Sequence, residues 1–208
     1  VAGVRPDRAP VAMVYDWESG WALAASSGPK HHGIDLYTQT CVEHFRALRT
    51  AGVEVDIVPV DGDFSGYRAV VTPALYLMEQ ATARRLTAYV EDGGCWVATF
   101  LTGYVDGNNL CWCGGFPGPD LREVFGLWNE EIDFLHGDET VRIRPCTEGF
   151  GGGMNATEIV ERIHSEGAQA LAVAGSEFYA GQPVILRNQF GNGSTCYVGA
   201  RLDEPSLA

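Results

Sequence analysis

The sequence predicts an α/β fold: a mostly parallel sheet with helices packed on both faces and a β-hairpin near the C-terminus. Two observations carry that expectation. Between residues 10 and 101, short apolar runs and longer amphipathic stretches follow the order strand, helix, strand, strand, helix, strand, the spacing of parallel strands joined by crossovers. The runs are largely apolar, as strands buried on both faces are. A third observation comes later in the chain: two β-rich runs in "PVILRNQFGNGSTCYVGARLD" flank Gly191-Asn192-Gly193, as a hairpin would.

Each element has its own signal. "APVAMVYDWES" is an apolar run after a proline that ends in acids, a first strand over about 10–16. A loop containing Trp, Gly and His follows. In "DLYTQTCVEHFRALRTAG", Leu36, Cys41, Phe45 and Leu48 recur on one helical face, and Gly52 supplies the stop. "VEVDIVPV" is a second strand, with Val53, Val55 and Ile57 expected to point inward. "YRAVVTPALYLM" is a third, ended by a turn at Thr72-Pro73. "EQATARRLTAYVEDGG" opens with an acid and closes on a Gly pair, as helices do. "GGCWVATFLTGYVDGNN" is the fourth strand, apolar from Cys95 to Leu101 and opening at Thr102-Gly103.

Beyond residue 105 the pattern loosens. A Gly/Pro-rich loop leads into a short helix from about Pro119, and "EEIDFL", "ETVRIRP" and "AQALAVAG" read as short strands. The glycines at 151–153 before "MNATEIVERIH" read as a flexible loop. With no internal repeat and no domain-sized linker, residues 1–208 are expected to form a single domain.

The formal net charge is −13, and Lys30 is the sole lysine against thirteen arginines. Such a surface repels phosphate backbones and anionic lipid, so nucleic acid and membrane are not expected partners. No apolar run approaches the roughly 20 residues needed to cross a bilayer, and the N-terminus lacks the charged-then-apolar order of a signal peptide. The six cysteines sit mostly in apolar runs; "CWCGG" has C-x-C spacing rather than that of a zinc knuckle. A reduced, cytoplasmic chain without metal or cofactor is the expectation.

Six segments in register carry a resemblance: "VYDWESGWAL", "FRALRTAGVEVDIVP", "YRAVVTPALYLM", "LTAYVEDGGCWVATFLTG", "GGFPGPDLREVFGL" and "FGNGSTCYVGARLD". Together, over about residues 10–203, they resemble the middle, trimerisation domain of glycoside hydrolase family 42 β-galactosidases. The resemblance implies a flavodoxin-like fold related to class I glutamine amidotransferases, and a homotrimer in the full-length enzyme. It places the retaining two-carboxylate hydrolysis of terminal β-D-galactosides in a (β/α)₈ barrel outside these residues. The fragment itself is then expected not to be an enzyme.

The fourth strand end tests the alternative, a stand-alone amidotransferase- or hydrolase-like enzyme. The resemblance implies that such relatives present a cysteine there on a tight turn, with backbone amides aimed at an oxyanion. Here the strand ends Phe100-Leu101-Thr102-Gly103-Tyr104, with Cys95 near its start, and Thr102 has no adjacent His or Lys. A P-loop fails for want of its lysine. Of the carboxylates Asp16, Glu18, Asp35, Asp106, Asp138 and Glu139, most read as solvated surface without pairing. Asp16 and Glu18 draw a second reading at the end of the first strand, but the resemblance places both catalytic groups in the barrel, so no catalytic residue is assigned.

What remains is contact surface. The segment "DWESGWALAASSGPKHHGIDLY" carries Trp17, Trp21, His31, His32 and Tyr37, residue types that anchor interfaces or, for the tryptophans, cap the domain's own core. The second candidate is "YVDGNNLCWCGGFPGP", with Trp112 and Phe116 flanked by glycines. Both loops follow strand carboxyl ends, so one sheet edge is the candidate contact with another copy or with the enzyme's own barrel. A galactoside-binding module using the same aromatics is a further alternative.

Overall fold

The computed structural model describes residues 8–26, 35–146 and 152–207. Four strands come from the first half of the chain: β1 (Val11–Val14), β2 (Val55–Val58), β3 (Ala69–Thr72) and β4 (Cys95–Thr99). They run parallel in the order β2-β1-β3-β4. Between them stand α1 (Trp17–Ala25), α2 (Asp35–Thr50) and α3 (Gln80–Glu91). The face of Ala12, Val70 and Trp96 packs on Leu86 and Val90 of α3. The face of Met13 and Val71 packs on Ala22 and Leu23 of α1 and on Leu36, Tyr37 and Cys41 of α2.

After α4 (Arg122–Phe125) the alternation of strand and helix stops. Six strands follow at short intervals: β5 (Leu127–Phe134), β6 (Thr140–Pro145), β7 (Met154–Ser165), β8 (Gln169–Ala174), β9 (Pro183–Phe190) and β10 (Gly193–Val198). Then come β11 (Ala200–Leu202) and a last turn of helix, α5 (Glu204–Leu207). Several of the connections are too short for crossovers, so neighbours pair antiparallel; β10 alone also pairs in parallel, with β4.

The expected flavodoxin-like, mostly parallel α/β sheet with helices on both faces is therefore incorrect. The chain forms one eleven-stranded mixed sheet, β11-β7-β6-β8-β9-β10-β4-β3-β1-β2 with β5 on β7, in which strand outweighs helix. The expected C-terminal hairpin, β9–β10, is one piece of this larger array. Only Gly199 separates β10 from β11, yet the two stand far apart in strand order. The array must curl back on itself, and it encloses a third core of Val141, Ile143, Ala156, Val160, Ala172, Val184 and Leu202.

Local differences have physical causes. The Trp-containing loop is largely helix α1, capped by Asp16, whose carboxylate accepts the Ser19 amide at 2.8 Å. Ile57 faces outward at 52% exposure because β2 is an edge strand, and Val58 packs inward instead. "MNATEIVERIH", for which the sequence predicts no element, is most of β7, the longest strand.

The sheet edge after the parallel strands

Chain reversal at the end of β4 is tight. Leu101 has φ of 61° and Gly103 of 68°. A Cβ on Gly103 would sit 2.1 Å from the Gly118 carbonyl oxygen, so this turn requires glycine. The elbow thus has the sharp backbone of a nucleophile-bearing turn, but the residue on it is a buried leucine, 3% exposed. Thr102 is fully buried and its hydroxyl donates to the Thr99 carbonyl at 2.7 Å. Cys95 lies at the other end of the strand. Burial pushes the Cys41 and Cys196 thiols up to about 12, which leaves them protonated and inert.

Glu161 of β7 lies under the elbow, and sequence reasoning missed it. One carboxylate oxygen accepts the Leu101 amide at 2.8 Å and the Tyr104 hydroxyl at 2.9 Å. The other accepts the Tyr197 hydroxyl at 2.8 Å and the Asn129 amide at 3.2 Å. Among the described residues no cation takes part. Burial raises the Glu161 carboxyl from 4.5 to about 7, against four donors that favour the ionised form. The only signal in the sequence is an acid next to Val160 in a strand that is buried on both faces.

The aromatic candidates separate into groups. Trp17 and Trp21 sit one turn apart on α1, exposed at 58% and 60%, their ring centroids 6.3 Å apart. The opposite face of α1 is held by Ser19, whose hydroxyl contacts both the amide and the carbonyl of Leu77. Trp112 is half-buried, with its indole N–H donating to the Met78 carbonyl at 3.1 Å. Phe116 stacks on Tyr104 with centroids 4.0 Å apart. These two are pinned to their own domain. Tyr37 is wholly buried and its hydroxyl accepts the Asp16 amide at 2.7 Å, so it is a core residue and not a surface anchor. His31 and His32 lie outside the described residues.

α1 and the 104–118 loop flank the same 75–79 segment, since Trp112 bonds Met78 and Gly107 abuts Glu79. Beside the tryptophans runs a groove of about 640 Å³ whose walls include Tyr15, Leu77, Glu18, Asp61 and Glu79. Arg85 also lines it, but its guanidinium is engaged by the carbonyls of Val60 and Asp61. Among the described residues no group of acids, histidines or cysteines is placed to hold a metal, and no helix is long and apolar enough to cross a membrane.

Fold and edge together define a mixed-sheet domain whose outer loops offer aromatic and acidic surface, without a nucleophile–base pair among the described residues. Comparison with known proteins gives that class a family. The β-galactosidase trimerisation domain of glycoside hydrolase family 42 matches residues 9–208, and the chain belongs to it. The chain is 41% identical over 203 residues to β-galactosidase BglY of Alicyclobacillus acidocaldarius, covering 96% of this chain and 29% of that protein. Against β-galactosidase Pbg of Clostridium perfringens it is 40% identical, with 95% and 29% covered. Among solved structures, the β-galactosidase of Rahnella sp. R3 superposes with a TM-score of 0.91 at 40% identity, over 97% of this chain and 30% of that one. That of Bacillus circulans sp. alkalophilus gives 0.90 at 38%, over 96% and 29%. The chain thus spans about 29% of the length of the curated relatives it matches.

Proposed function

We propose that this chain is the self-association domain of a β-galactosidase and carries no catalytic group of its own. The observation that carries this reading is the family match over residues 9–208, described as a trimerisation domain. Hydrolysis of terminal β-D-galactosides then belongs to a barrel elsewhere in the parent protein, which is also a contact partner. The β4 elbow supports the reading, because a buried leucine occupies the place a nucleophile would need. So do Trp17 and Trp21, whose exposed indoles are hot-spot side chains.

Closing a ring of three copies requires a heterologous contact, one patch meeting a different patch on the next copy. Trp17 and Trp21 supply one patch, and Trp112 and Phe116 brace the segment behind it. Amine cross-linking is a poor probe with one lysine, so carboxylate-directed cross-linking followed by denaturing electrophoresis tests the proposal. A ladder ending at three copies is expected, with no release of nitrophenol from a nitrophenyl β-galactoside. Single-chain product alone, or turnover by this chain, contradicts it.

A further inference from the structure

The patch that meets the tryptophans has to bring positive charge and a matching spacing. The groove beside Trp17 and Trp21 carries Glu18, Asp61 and Glu79, and its one arginine is already engaged within the domain. Carboxylates next to open indole faces suit guanidinium groups, which pair with the first and stack on the second. This chain presents such groups on the outer face of the curled array. Arg142 and Arg144 both point outward from β6, alternating with buried Val141 and Ile143. Half-buried Val173 of β8 pairs with Arg144 across the ladder. Among the described residues neither Arg142 nor Arg144 forms an ion pair, whereas Arg122, Arg162 and Arg201 all do.

Spacing agrees with charge. Side chains two residues apart on a strand stand about 6.6–6.8 Å apart, and the two indole centroids are 6.3 Å apart. We propose that Trp17 and Trp21 of one copy receive Arg142 and Arg144 of the next, the groove carboxylates pairing with the guanidinium groups. The proposal rests on the self-association reading and names its two patches. Because they are different surfaces of the same chain, the contact is heterologous, the kind that closes a ring of three when each copy is turned by a third of a revolution from the last.

The test is solution mass by light scattering on four forms of the chain. Wild type is expected at three copies. Arg142→Glu/Arg144→Glu, and separately Glu18→Arg/Glu79→Arg, are expected to lose the trimer; all four residues point to solvent or line the groove, and unchanged circular dichroism shows that they fold. The quadruple variant, with both patches reversed in one chain, is expected to regain trimer mass. A 1:1 mixture of the two double variants is not, because alternating complementary copies cannot close an odd-membered ring. A wild-type trimer that survives Arg142→Glu/Arg144→Glu, or a quadruple variant that stays at one copy, overturns this pairing alone. A wild-type chain at one copy throughout overturns the self-association reading with it.

Discussion

The Glu161 carboxylate accepts the backbone amide of Leu101 at 2.8 Å, joining the longest antiparallel strand to the elbow that ends the parallel ones. The same carboxylate holds Tyr104 from the loop after β4 and Tyr197 from β10, so one buried acid ties both halves of the sheet together. Its protonation therefore acts on the whole domain. The folded value, about 7, lies above the ordinary 4.5, so between those pH values the folded state keeps a proton that the unfolded chain has lost. This group's contribution to stability is complete below about 4.5 and declines as pH rises to about 7. Urea denaturation at pH 5 and pH 7.5 should show a loss on the order of 2 kcal/mol at the higher pH. Glu161→Gln should flatten that slope, while lowering stability at pH 5 because its amide N–H₂ faces the donors Tyr197 and Asn129.

The exposed tryptophans and the buried one should part company on substitution. Trp17→Ala and Trp21→Ala should leave the melting temperature nearly unchanged and abolish association. Trp96 is fully buried, with its indole N–H bonded to Thr72 at 2.9 Å, and Trp96→Ala should cost about 3–5 kcal/mol. Thermal melts and sedimentation velocity on the same samples separate the two effects.

Thiol labelling of the native chain should find no activated cysteine. Cys111, Cys113 and Cys146 are exposed and should react at ordinary rates. Buried Cys41 and half-buried Cys196, both held at about 12 by burial, should react far more slowly until the chain unfolds. One thiol reacting far faster than the rest would support the amidotransferase-like alternative.

The cap on α1 links stability to presentation of the aromatic pair. Asp16→Ala removes the oxygen that accepts the Ser19 amide and should cost about 1 kcal/mol. Because α1 carries both indoles, association should weaken as well. Asp16→Asn, which keeps an acceptor, should largely rescue both.

Much of the first half was legible because its strands and helices have local signals: apolar runs at β1, β3 and β4, and a Leu36–Cys41–Phe45–Leu48 face on α2. α1 escaped because Gly20 and the bulky Trp17 and Trp21 mask its period. Helical Gly20 is buried against the domain. The curled half was misjudged because its closure depends on pairings between distant residues, β11 with β7 and β10 with β4, which no local pattern announces. β7 was further obscured by Glu158, whose φ of 60° interrupts its regular alternation. At the edge, composition found Trp17 and Trp21 but could not separate them from Tyr37, since exposure is decided by packing. Glu161 was illegible for a similar reason: its four donors come from three separate places in the chain, the 101–104 elbow, Asn129 and Tyr197.

Binding to copies of itself is the role proposed for this domain. Light scattering over a wide concentration range tests it most directly. A species of three times the 22.5 kDa chain mass that dissociates on dilution is expected. A mass of 22.5 kDa at every concentration would contradict it.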